Sequence, residues 1–116
     1  MGNTMTIEWS EAFSEDVAEI MHYLDYQYCS RSQKEKFYRR LAKVEMRLAI
    51  FPLMGVVLDD PKYQREYRKV RMGTAYLIFY EVFLEEAKVV LHRILTQAQR
   101  YDILIREEEM NYTYDE

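Results

Sequence analysis

Apolar side chains follow a helical period up to about residue 51 and a strand period from about residue 66. A chain that keeps the two periods in separate blocks segregates its helices from its sheet, so the class is α+β rather than alternating βαβ. In the first block Phe13, Val17, Ile20, Met21, Leu24 and Tyr28 form one stripe, with Ser10 or Ser14 as candidate N-cap. Glu15 and Asp16 then sit near the positive end of the helix dipole. Ser32-Gln33-Lys34-Glu35 has the form of a capping box, and Phe37, Leu41, Val44, Leu48 and Phe51 make a second stripe that Pro52 should end. Two striped helices joined by a few residues read as a hairpin.

A short strand is expected over residues 4–9 and a loop over 53–65. In the second block residues 66–72 read as a strand, Gly73-Thr74 as a hairpin turn, and Ala75–Phe83 as a central strand, because its apolar residues serve both faces. Leu84-Glu85-Glu86 is the next turn and Ala87–Thr96 the next strand. The expected order is β-α-α-β-β-β, an N-terminal strand and helical hairpin packed on an antiparallel sheet. Residues 97–105 are expected as a turn or terminal strand. Residues 1–105 read as one domain and 106–116 as an acidic, flexible tail.

The length of 116 residues suits a single domain, and 49% hydrophobic residues suffice for a core. Eleven tyrosines and seven methionines exceed what that core needs, so a partner is expected to cover some. The single cysteine, Cys29, cannot form an internal disulfide, and the first ten residues lack the features of a signal peptide. No segment reaches the length of a membrane span, so a cytoplasmic protein with no membrane contact is expected. The net charge of −4 hides an uneven distribution: residues 1–30 hold six acids and no Lys or Arg, whereas 31–71 hold twelve bases and five acids. Such a basic block attracts phosphate backbones, or is simply a solvated helix face. No His or Cys pair has metal-ligand spacing and no glycine-rich phosphate loop occurs, so neither a metal nor another cofactor is expected. Cys29 and His22 read as packing or surface residues. Tyr76 and Tyr80 are candidates for contact with nucleic acid or a partner, and Tyr112 and Tyr114 for covering a basic surface.

Several runs carry a family resemblance. They are IEWSEAFSEDVAEIMHYL, the second helix ending at Phe51-Pro52, YRKVRMGTAYLIFYEV with its Gly73–Tyr80 core, and VVLHRILTQAQRY with Arg93-Ile94-Leu95. Over residues 4–104 the chain resembles the RelE/ParE superfamily of bacterial toxins from type II toxin–antitoxin modules, also called plasmid-stabilisation proteins. The resemblance implies a toxin neutralised by a cognate antitoxin. It would arrest growth through ribosome-dependent mRNA cleavage, which needs ribosome and mRNA, or through DNA gyrase. An inert member that binds an antitoxin-like partner is the alternative. The sequence departs from many relatives after the last strand: Thr96 stands where they have His, and Gln97 or Gln99 where they have Arg, with Arg100 and Tyr101 as partial substitutes.

RNA cleavage by the neighbouring 2′-hydroxyl needs a base, cations for the charged phosphorane and an acid for the leaving oxygen. The resemblance favours Arg68 and Arg93 as the cations. Tyr101 or His92 would move the proton, and a tyrosine with its ordinary pKa near ~10 needs cationic neighbours to do so. Lys69, Arg71 and Arg100 are candidates for binding nucleic acid or another target. Arg68, Val70 and Met72 share one strand face and Lys69 and Arg71 the other, so these cations cannot all enter one site. The competing reading pairs the arginines with structural acids.

Overall fold

The computed structural model describes residues 4–28, 31–96 and 99–114. Strand β1 (Thr6–Trp9) leads into α1 (Glu11–Tyr28) and α2 (Arg31–Ile50). A 3-10 turn (Pro52–Met54) and a two-residue strand β2 (Val56–Val57) follow, then β3 (Arg68–Met72), β4 (Tyr76–Phe83), β5 (Lys88–Thr96) and α3 (Tyr101–Asn111). The α+β class and the β-α-α-β-β-β order hold, with β2 and α3 added. The five strands lie in the order β1-β5-β4-β3-β2. All neighbours are antiparallel except β1 and β5, which run parallel from Thr6 opposite Lys88 to Trp9 opposite Leu91. The sheet is therefore mixed, and the first strand belongs to it.

Ser10, not Ser14, caps α1. Its Oγ accepts the Phe13 N–H at 3.0 Å and donates to the His92 carbonyl at 2.9 Å. One hydroxyl thus ends β1, starts α1 and ties both to β5. Helix α2 begins at Arg31, so Ser32 lies inside it rather than at its cap. It stops at Ile50, because Pro52 has no N–H to continue the ladder. Phe51 falls beyond that stop and is 65% exposed, so it does not complete the stripe.

The hairpin covers one sheet face. Phe13, Val17, Leu24, Phe37, Leu41, Val44 and Leu48 pack there on Met72, Ile78, Tyr80, Val89, Leu91 and Ile94. The opposite face carries a smaller core of Tyr67, Phe79, Leu95 and Ile105, with Leu77, Tyr101 and Leu104 against it. Helix α3 covers that face. The boundary expected at residues 105 and 106 therefore cuts through a helix. Residues 106–111 are its second half, and Glu108, Glu109 and Tyr114 are hydrogen-bonded into the body of the protein. The acid-rich composition reads as a frayed end only while the partners of those acids are unseen.

Two turns and one bulge set the sheet. Gly73 takes the positive φ of 62° expected of a hairpin glycine, and Ala87 reaches φ 52° in the next turn. Between Phe79–Arg93 and Tyr80–Leu91 the register shifts, leaving His92 as an extra residue in β5. Leu91 and Ile94 keep facing the hairpin. His92 thereby turns its ring toward α3, where Glu108 meets it.

Candidate functional site

The six sequence-derived site residues do not all meet in one place. Arg68 sits at the β2 end of the sheet. Its Nη1 donates to the carbonyls of Leu53 (3.1 Å) and Gly55 (2.9 Å), and its Nη2 approaches Glu66 at 3.4 Å. The guanidinium thus holds the 3-10 turn in place. Tyr80 holds the same turn from below, donating to the Pro52 carbonyl and accepting the Gly55 N–H, both at 2.8 Å. Position 55 has to be glycine: a Cβ there would lie 2.5 Å from the Tyr80 hydroxyl and 2.8 Å from the Lys69 carbonyl oxygen. Tyr80 is accordingly a core residue and not an exposed one.

Arg93 lies two strands away from β3. It forms a two-point pair with Asp16, Nε to Oδ2 and Nη2 to Oδ1, both at 2.7 Å. Asp16 Oδ2 also accepts the Ile94 N–H at 3.0 Å. Past Trp9 the edge of β5 has no strand neighbour from β1, and Asp16 supplies the missing acceptor. Hydrogen bonding to Asp16 raises the Arg93 pKa above its already high ordinary value, so the charge is permanent. Beside the pair opens a cleft of about 510 Å³ lined by Glu11, Glu15, Asp16, Arg93, Glu107 and Glu108 among others. Arg93 is its one lining cation among five acids, a poor setting for a phosphate.

Tyr101 stands at the start of α3, stacked on Phe79 with ring centroids 5.1 Å apart. Lys69 Nζ lies 5.5 Å from the centre of the Tyr101 ring. Lys69 and Arg71 also line a groove of about 500 Å³ with Met54, Gly55, Val56, Val70 and Leu77. Arg100 is exposed and pairs with Asp102 at 3.2 Å. The structure therefore brings Lys69 to Tyr101 and Arg71 into the same groove as Lys69. It does not gather Arg68, Arg93 and Tyr101. Cys29 and Gln97 lie outside the described residues. Among the described residues no group of His, Cys, Asp and Glu side chains is placed to hold a metal ion. No helix among the described residues is long and apolar enough to cross a membrane.

A second constellation centres on His92. Its Nδ1 is 2.7 Å from Glu108 Oε2 and its Nε2 2.9 Å from Glu81 Oε1. Tyr114 donates to Glu81 Oε1 at 2.7 Å, and Arg65 Nε donates to Glu81 Oε2 at 2.6 Å. Burial alone would lower the His92 pKa, but the bonds to Glu108 and Glu81 outweigh it and raise it. Burial likewise pushes Glu81 up, while the bonds from His92, Tyr114 and Arg65 prevail and bring it down. Sequence leaves His92 as a proton-transfer candidate or a structural residue; the buried pairing with Glu81 and Glu108 favours the structural role. The signal for the network was present in sequence as two polar residues in otherwise apolar strands, Glu81 in AYLIFYEVF and His92 in VVLHRIL.

The sequence profile described as the ParE toxin of type II toxin–antitoxin systems, parDE, matches residues 7–101. The chain belongs to the ParE toxin family. The match runs from the second residue of β1 to the first residue of α3, so most of this ParE-family chain's third helix lies beyond it. No curated protein matches the sequence.

Proposed function

We propose that this ParE-family toxin arrests growth by binding DNA gyrase, and that a cognate antitoxin neutralises it. The observation that carries the choice of target is the dispersal of the nuclease candidates. Arg68 is engaged with the carbonyls of a turn, Arg93 with Asp16 and Tyr101 with Phe79. A toxin that works by occupying a protein target needs no such convergence.

Exposed Met46, Ile50, Phe51, Leu53, Met54 and Val56 supply an apolar surface for the antitoxin at the end of α2 and the edge of the sheet. On this reading Phe51→Asp weakens antitoxin binding at least about tenfold with little change in thermal stability, since the site is solvent-facing. Calorimetric titration of the purified pair checks both.

One observation favours a second reading, translation-dependent RNA cleavage. Lys69 Nζ lies over the Tyr101 ring and shares a groove with Arg71, which sets two cations near one of the nuclease candidates. The deciding experiment induces the chain alone in a bacterial host and follows DNA and protein synthesis together. It is paired with supercoiling by purified gyrase and with mRNA integrity on translating ribosomes. Early loss of DNA synthesis with inhibited supercoiling is expected. Cleaved mRNA with normal supercoiling would move the function to the ribosome, and normal growth would leave an inert family member.

A further inference from the structure

Glu81 from the middle of β4, His92 from the β5 bulge and Glu108 from α3 meet out of reach of solvent, with side chains 5%, 0% and 4% exposed. Each ring nitrogen of His92 faces a carboxylate oxygen. An ionised carboxylate only accepts hydrogen bonds, so both contacts require hydrogen on both nitrogens. If a glutamic acid donated instead, the proton would merely shift along the same bond, and the trio would hold the same number of protons. With one proton fewer, a neutral imidazole and two carboxylates, net −2, leave a ring nitrogen and a carboxylate oxygen facing each other as two buried acceptors.

The groups around the ring come from every neighbouring element. Tyr67, just before β3, presents its ring edge-on at 5.6 Å, and Tyr112, just after α3, does so at 4.8 Å. Tyr114 and Arg65 bond Glu81. Glu109 accepts from the Tyr67 hydroxyl at 3.1 Å and from the backbone N–H groups of Gln64 and Arg65. Arg93, the next residue, is turned to Asp16 of α1. The two halves of the C-terminal segment are thus held differently. Tyr101, Leu104 and Ile105 hold the first half by apolar packing. Glu108, Glu109 and Tyr114 hold the second half through polar bonds.

We propose that residues 108–114 form a proton-dependent clasp, closed over the sheet while the Glu81–His92–Glu108 chain keeps its shared proton and opening as a unit when that proton leaves. Opening uncovers a polar and aromatic strip of Arg65, Tyr67, Glu81 and His92 on the sheet, while the first half of α3 stays docked. The clasp does not depend on which target the toxin has.

Hydrogen exchange of the full chain, corrected for the intrinsic pH effect, tests this from about pH 6 to about pH 10. Above about pH 6.5, the value of a free imidazole, protection of residues 108–114 should fall about tenfold per pH unit until the closed trio itself gives up its proton, as loss of one linked proton on opening requires. β4 and α2 should keep their protection over the same range. Protection of 108–114 that stays flat, or that falls only together with β4 and α2, overturns the proposal. Imidazole nitrogen NMR near neutral pH should find both His92 nitrogens protonated; a neutral tautomer with no proton on a glutamate overturns it as well. Glu108→Gln removes one of the facing charges and should shift the opening to lower pH, whereas His22→Gln, on the exposed face of α1, should not move it. An unmoved midpoint in Glu108→Gln also counts against the clasp, and the measurements on the unaltered protein stand even if that variant does not fold.

Discussion

Arg93 is legible in the sequence as a cation on the last strand, but its partner is 77 residues away and on a helix. Nothing in local spacing joins the two. The pair is largely buried, so removing one member strands a charge and a ladder N–H acceptor is at risk with it. Arg93→Ala should lower the unfolding free energy by about 3 kcal/mol, read from urea denaturation at neutral pH. Toxicity lost in that variant would therefore report folding before chemistry, and the soluble, folded fraction has to be measured alongside. Ser10→Ala should cost about 1 kcal/mol for the cap alone, with the lost bond to the His92 carbonyl adding to it. Tyr80 illustrates the opposite limit of sequence reading. In sequence it reads as a candidate for the exposed face of an aromatic strand, but its hydroxyl is satisfied inside, by Pro52 and Gly55, and burial pushes its pKa up.

At the level of elements, the two helices and the three long strands follow from period and capping. Their ends shift by one or two residues, as at Thr6, Arg31 and Arg68. The elements that escaped have identifiable reasons. β2 is two residues long, too short for any alternation to register. Helix α3 has the stripe Tyr101, Leu104, Ile105, Glu108, and its last member is a glutamate. That residue is 5% exposed because His92 meets it, so a core position is written in a polar letter. Turn chemistry is partly visible. Gly73 announces its positive φ, whereas Ala87 adopts φ 52° with a side chain that disfavours it. Ala87→Gly should therefore stabilise the chain by about 1 kcal/mol, seen as a higher thermal midpoint.

Over the whole molecule, stability should trace a plateau in pH. His92 is raised on folding, so its contribution is complete below its unfolded value near ~6.5 and is lost as pH climbs through the folded value. Glu81 is lowered, so its contribution is complete above the unfolded value near ~4.3 and is lost as pH drops through the folded one. Urea midpoints measured across that range should decline on both sides, and Glu81→Gln should remove much of the acid-side decline. The parallel pairing of β1 with β5 has a consequence for how the protein comes into being. Thr6 is made well before its partner Lys88, with both hairpin helices and two long strands between them. A nascent chain leaving the ribosome can form its helical hairpin early, but its first strand waits, with no ladder, for the last one. The sheet is finished only after β5 has been made, so a translation product cut short before it would carry the hairpin helices of this toxin without its assembled sheet.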